Sequence, residues 1–122
     1  MRYEALVVDY AGVFTEPGVA AIVDAVRRRG LRTALLSNAD SVPADLPDVF
    51  DVVLVSGVVG VAKPAIEIYL LVAAELGITT DKCVFIDDHV PYVRAAARAG
   101  MTGVCHRSVE STVDELEVLL DQ

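Results

Sequence analysis

The chain has 122 residues, enough for one compact domain and too few for two, and the expectation is a single domain over residues 1–122. Apolar residues make up 54% of it, so it can bury a core without disulfides or a structural metal. A formal net charge of −8 argues against nucleic acid and anionic membrane surfaces as partners, because their phosphates would be repelled at every encounter.

In chain order, Ala5–Val8 is a continuous apolar run ending at Asp9. Val19–Arg29 has helical spacing, with Val19, Ile22, Val23 and Val26 on one face and arginines in its last turn before Gly30. Arg32–Ser37 reads as a second strand, followed by the turn-rich stretch Asn38–Asp48, and Val52–Val55 as a third strand. Pro64–Leu76 is a predicted helix, with Pro64 in its first turn and Gly77 ending it. Cys83–Ile86 is a fourth strand, stopped by two aspartates, and Pro91–Ala99 an alanine-rich helix ended by Gly100. Thr102–Cys105 is a short fifth strand, and Ser111 is placed as the cap of a last helix whose apolar face holds Leu116, Leu119 and Leu120.

Continuous apolar strands separated by helices predict a parallel sheet covered on both faces, a doubly wound α/β (Rossmann-like) domain. The two cysteines, Cys83 and Cys105, lack a short metal-type spacing and read as small core residues. Met1–Arg2 leads directly into the first strand, and no apolar run approaches the ~20 residues that span a bilayer, so the expected location is the cytoplasm.

Open parallel sheets bind ligands beyond the carboxyl ends of their strands, where the strand order reverses. The residues at those ends are Asp9, Ser37, Asn38, Asp87 and Asp88, with Lys63 before the Pro64–Leu76 helix on the same edge. A serine or aspartate at one strand end is usually a turn former or helix cap. Several at once, including adjacent aspartates that repel each other, call for a nearby positive charge. Mg²⁺, which prefers oxygen ligands, meets that need.

At these positions the chain resembles the haloacid dehalogenase-like (HAD) hydrolase superfamily. VVDYAGVFTE is similar to its first motif, an apolar strand followed by Asp-x-Asp-Gly-Thr or Val. LLSN is similar to the second, VAKPAIEIY to the third with its Lys-Pro, and VFIDDHVPYVRAAARAGM to the fourth with its paired acids. The resemblance implies a five-stranded sheet of order 5-4-1-2-3. It implies Asp9 as a nucleophile forming an aspartyl ester, Ser37 as the donor that holds the phosphoryl group, and Lys63 as the cation that steadies nucleophile and developing charge. Asn38 joins Ser37 and Lys63 as a substrate-binding residue. Asp9, Asp87, Asp88 and the backbone carbonyl of Ala11 are the implied Mg²⁺ ligands.

Three positions depart from the family pattern. The second aspartate of the first motif, the usual acid/base, is Ala11; the usual threonine is Val13; and the residue four after Asp88, which commonly orients the lysine, is Tyr92. Asp-x-Ala-Gly also resembles phosphonoacetaldehyde hydrolases, which rely on a cap domain with a Schiff-base lysine. Only about twenty residues separate Phe14 from the second strand, most of them in one helix, and that segment holds no lysine. The expectation is therefore a capless domain, with an open site or one covered by another subunit; the apolar composition predicts a homo-oligomer. His89, next to the acid pair, is a candidate metal or acid/base residue against the plainer reading of a solvent-facing loop histidine. His106, after the fifth strand, is given no role, and Tyr10 and Tyr92 are read as packing beside the site.

The leading reading is a Mg²⁺-dependent phosphatase-type hydrolase acting on a small-molecule or macromolecular phosphorylated substrate, slow for want of the acid/base. The rival is a catalytically weakened HAD-like binding or assembly module, which Ala11 and Tyr92 favour and the retained Asp9, Lys63, Asp87 and Asp88 disfavour. A receiver-like domain shares the acid cluster, but its lysine should follow the last strand, whereas Lys63 precedes a central helix.

Overall fold

The computed structural model describes residues 2–121. Five parallel strands, β1 (Ala5–Val8), β2 (Arg32–Ser37), β3 (Val52–Val55), β4 (Cys83–Asp87) and β5 (Thr102–Cys105), form one sheet in the order β3-β2-β1-β4-β5. This is the order expected from the sequence. The chain winds from β1 outward through β2 to β3, then returns to β4 and winds the other way to β5. The reversal lies between β1 and β4, so Asp9 and Asp87 end the two strands that flank the switch point.

Both faces of the sheet are covered, which is why its strands are apolar throughout rather than alternating. Leu6, Val8, Leu35, Val84, Ile86 and Val104 point to one layer, where they meet α1 (Val19–Arg28) and α5 (Val109–Leu120) through Val19, Val23, Val26, Leu116 and Leu120. Ala5, Val7, Ala34, Leu36, Leu54 and Phe85 point to the other, against Ile68, Tyr69 and Val72 of α3 (Ile66–Leu76) and Ala95 and Ala96 of α4 (Val90–Arg98). The two alanines and Gly103 let α4 lie close on the sheet: a Cβ on Gly103 would fall 2.5 Å from Val93 Cγ1. Between β1 and β2 there is an irregular helical turn, Tyr10–Phe14, followed by α1, and no cap domain. No helix among the described residues is long and apolar enough to cross a membrane.

Two boundaries differ from the sequence expectation by more than one residue. The helix predicted from Pro64 starts at Ile66, because Ala62–Ala65 closes a turn and Ala65 keeps an extended ψ of 131°. The last helix is capped by Ser108, not Ser111. Ser108 Oγ accepts from the Ser111 N–H at 3.0 Å, and Ser111 Oγ from the Ser108 N–H at 3.2 Å. Ser111 is thus the N3 partner in a reciprocal capping box, where its hydroxyl does what a glutamate or glutamine side chain usually does. The short helix α2 (Ser56–Val59) and the 3₁₀ turn Thr80–Lys82 carry too little periodicity to be read from sequence.

Candidate active site at the carboxyl edge of the sheet

Lys63 is the centre of the site. It arrives on the loop before α3, and its side chain is almost wholly buried. Its ammonium has three protons, and three acceptors stand around it: Asp9 Oδ1 at 2.8 Å, Asp87 Oδ2 at 2.9 Å and the Leu36 carbonyl at 3.1 Å. The rings of Tyr92 and Phe85 lie 5.2 and 5.6 Å away, within cation–π range. A lysine so buried is tolerable only because every proton and the charge itself are matched.

Asn38 fixes where Lys63 enters. Its amide oxygen accepts from the Lys63 N–H at 3.0 Å and its amide nitrogen donates to the Lys63 carbonyl at 2.9 Å. The same nitrogen lies 3.4 Å from the Tyr92 hydroxyl. Tyr92 thus stands near the lysine through its ring and near the lysine's anchor through its hydroxyl.

The carboxylates differ in setting. Asp87 is fully buried, with one oxygen on Lys63 and the other accepting from the His89 N–H at 3.0 Å. Asp9 keeps 12% of its side chain exposed, and its N–H donates to the Ile86 carbonyl, tying it to β4. Asp88 is exposed, and its carboxyl is held above the usual range, first by partial loss of water and then by the neighbouring Asp87 carboxylate. One oxygen from each of Asp9, Asp87 and Asp88 lies within 4.8 Å of the others. One ammonium stands against three carboxylates, so the cluster carries uncompensated negative charge and an all-oxygen donor set. That combination fits a hard divalent cation such as Mg²⁺.

The other expected residues are more dispersed. Ser37 is buried at the end of β2 on the same edge, and no hydrogen bond among the described residues links its hydroxyl to the cluster. Ala11 sits exposed in the turn after Asp9 with ψ 127°. Gly12 follows at φ 79°, packed so close that a Cβ there would meet Asp88 Oδ2 at 2.2 Å. His89 stands at the N-cap position of α4, without a side-chain capping bond, and lies edge-on to Tyr92 with ring centroids 4.3 Å apart.

Sequence reasoning missed Glu16 and His106. The His106 ring is buried between Thr112 Oγ1, 2.6 Å from Nδ1, and a Glu16 carboxylate oxygen against Nε2, while the His106 backbone N–H donates to the Asp87 carbonyl at 2.8 Å. The available signal was slight: a polar residue at the end of a buried strand, with a threonine six residues later facing inward.

The fold and site define a doubly wound α/β domain with a lysine-bridged aspartate pair at its switch point and no domain inserted between β1 and β2. The family model "haloacid dehalogenase-like hydrolase" matches residues 2–100, and the chain belongs to that family. It is 37% identical over 93 residues to Phosphatase MT3486 of Mycobacterium tuberculosis, covering 70% of this chain and 43% of that protein. It is 32% identical over 96 residues to phosphoserine phosphatase of Thermus thermophilus, covering 72% of this chain and 39% of the relative. The chain thus spans less than half the length of these curated relatives. An uncharacterised Corynebacterium glutamicum protein of similar size superposes with TM-score 0.88 at 30% identity, covering 97% of this chain and 95% of the other. A Bacteroides thetaiotaomicron HAD family enzyme, solved as an aspartate-to-alanine variant with magnesium and inorganic phosphate, shares the fold with TM-score 0.60 at 23% identity, over 72% of this chain and 51% of that one.

Proposed function

We propose that the chain, acting as one HAD core domain over residues 1–122, is a Mg²⁺-dependent phosphatase-type hydrolase with Asp9 as its nucleophile. The observation that carries this reading is the Lys63 ammonium, bonded at once to Asp9 Oδ1 and Asp87 Oδ2 inside a three-carboxylate cluster. The lysine holds Asp9 in place and offsets part of the charge that gathers as a phosphoryl group approaches. An Asp9 oxygen attacks phosphorus, and the bond to the leaving-group oxygen breaks with its electron pair staying on that oxygen. Water then hydrolyses the aspartyl phosphate, returning Asp9 and releasing phosphate.

Asp9, Asp87 and Asp88, with the carbonyl of Ala11, would hold Mg²⁺. When bound, the ion supplies positive charge against the repulsion between nucleophile and phosphate. Ser37 is assigned to hold the phosphoryl oxygens. Asn38, which follows Ser37 on the same edge, is assigned there too, although its amide already grips Lys63.

Ala11 has no proton to give the departing oxygen, a contribution typically worth ~10²–10⁴-fold. Turnover therefore depends on leaving groups that are stable without a proton. The test is hydrolysis of p-nitrophenyl phosphate and an alkyl phosphate with Mg²⁺ by wild type, Asp9→Asn and Ala11→Asp. The expected result is activity on the aryl ester alone, its loss in Asp9→Asn, and a gain on the alkyl ester in Ala11→Asp. No turnover in any of the three favours the second reading, a HAD-like binding or assembly module, which Ala11 supports.

A further inference from the structure

Glu16 and His106 are ninety residues apart, and neither belongs to the lysine–carboxylate cluster. Yet the pair joins the two stretches of chain that carry it. Glu16 ends the turn that begins at Asp9. Within that turn Phe14 N–H donates to the Asp9 carbonyl, Thr15 N–H to the Tyr10 carbonyl, Gly12 N–H to Thr15 Oγ1 and Glu16 N–H to the Val13 carbonyl. The turn is therefore one hydrogen-bonded body, and it bears Ala11 and the Gly12 surface on which Asp88 rests.

His106 belongs to the other stretch. Its N–H holds the carbonyl of Asp87, and its ring is 2% exposed at the side chain. Thr112, buried in the first turns of α5, fixes Nδ1 and so turns Nε2 toward Glu16. A histidine ring fixed at both nitrogens has one orientation, and it holds one oxygen of Glu16, whose side chain is otherwise 37% exposed.

We infer that Glu16 and His106 are positioning residues for the metal site, clamping the Asp9–Glu16 turn to the end of β4 so that Asp9, the Ala11 carbonyl and Asp88 keep their spacing. The inference rests on the Mg²⁺ reading above. Residues that orient metal ligands from behind typically change affinity by about 10–100-fold when removed. The clamp is a hydrogen bond rather than a charge requirement. Glutamine at position 16 keeps an acceptor for Nε2–H, so it should preserve the clamp where alanine destroys it.

The experiment is direct titration of the whole protein with Mg²⁺ by calorimetry, without substrate, for wild type, Glu16→Ala, Glu16→Gln and Thr112→Val, with thermal melts beside each. The expected result is a Kd at least about 10-fold weaker in Glu16→Ala, near wild type in Glu16→Gln and intermediate in Thr112→Val, in proteins that all melt cooperatively. Wild-type affinity in both Glu16→Ala and Thr112→Val would overturn the clamp and leave the hydrolase reading standing. Equal weakening in Glu16→Ala and Glu16→Gln would overturn it also, since the hydrogen bond would not be what matters. Failure of the wild type to bind Mg²⁺ would remove the metal reading itself.

Discussion

Asn38 holds Lys63 by both polar groups of the lysine's own backbone, its oxygen on the N–H at 3.0 Å and its nitrogen on the carbonyl at 2.9 Å. A side-chain amide used this way acts as a short piece of mating strand, and it sets the point from which the lysine reaches into the acid cluster. In Asn38→Ala both groups lose that partner, and Lys63 loses its fixed origin. With two part-buried hydrogen bonds lost at about 0.5–1.5 kcal/mol each, activity should drop about 5- to 100-fold. Asn38→Asp keeps the acceptor and loses the donor, and should fall between. Steady-state hydrolysis with Mg²⁺ measures this, and wild-type kcat in Asn38→Ala would show that Asp9 and Asp87 position the lysine unaided.

Lys63 also has a structural duty. Its ammonium is what allows a fully buried Asp87 to stand beside Asp9. Lys63→Met keeps the packing volume and removes the charge, leaving two facing carboxylates. Breaking a buried pair from one side costs about 3–5 kcal/mol. Lys63→Met should therefore unfold at markedly lower urea, and adding Asp87→Asn should restore much of the loss by removing the orphaned charge. If the double variant is as unstable as the single one, the destabilisation comes from lost contacts and not from charge.

Gly12 is the residue whose lack of a side chain the site uses most directly. Its φ of 79° disfavours a Cβ, and a Cβ would collide with Asp88 Oδ2. In Gly12→Ala either the turn or Asp88 must move. Stability should fall by about 1–2 kcal/mol from the backbone strain, while Mg²⁺ binding should weaken by more than the melting curve suggests. Calorimetric titration beside a thermal melt separates the two effects. A destabilised variant with unchanged Mg²⁺ affinity would place Asp88 outside the metal site.

The fold and the acids were legible because both depend on local pattern. Apolar runs define strands, and a charged residue that stops a parallel strand falls on the binding edge wherever the strand sits in the sheet. Lys63 was legible through its motif. What it touches was not, since Asp9, Leu36 and Asp87 reach it from three strands whose order only the folded sheet sets. The grip of Asn38 runs through the backbone of a residue 25 positions away, which leaves no trace in side-chain pattern. Tyr92 looked like a defect because the family places a short polar residue there. The structure supplies contact by other means, a ring 5.2 Å from the ammonium and a hydroxyl 3.4 Å from Asn38. His106 was read as an idle edge residue because nothing near it in sequence names Glu16 as its partner.

The core makes a prediction of its own at high pH. Burial pushes the Cys83 thiol up to about 11, and burial with the nearby Asp87 charge raises the Tyr69 hydroxyl well above its usual range. A group whose pKa is raised on folding contributes stability that is fully present below its unfolded value and disappears as pH climbs to the folded one. For Cys83 that window runs from about 9, the ordinary thiol value, to about 11. Across it the thiol's share of stability falls by at most roughly 3 kcal/mol. Cys83→Ala has no such loss. Urea unfolding of both proteins at pH 8 and pH 10.5 isolates the effect, because every other group titrates alike in the two and cancels in the difference. Wild type should weaken relative to Cys83→Ala at the higher pH. A difference that stays constant would mean that the thiol ionises as freely in the folded core as in the unfolded chain.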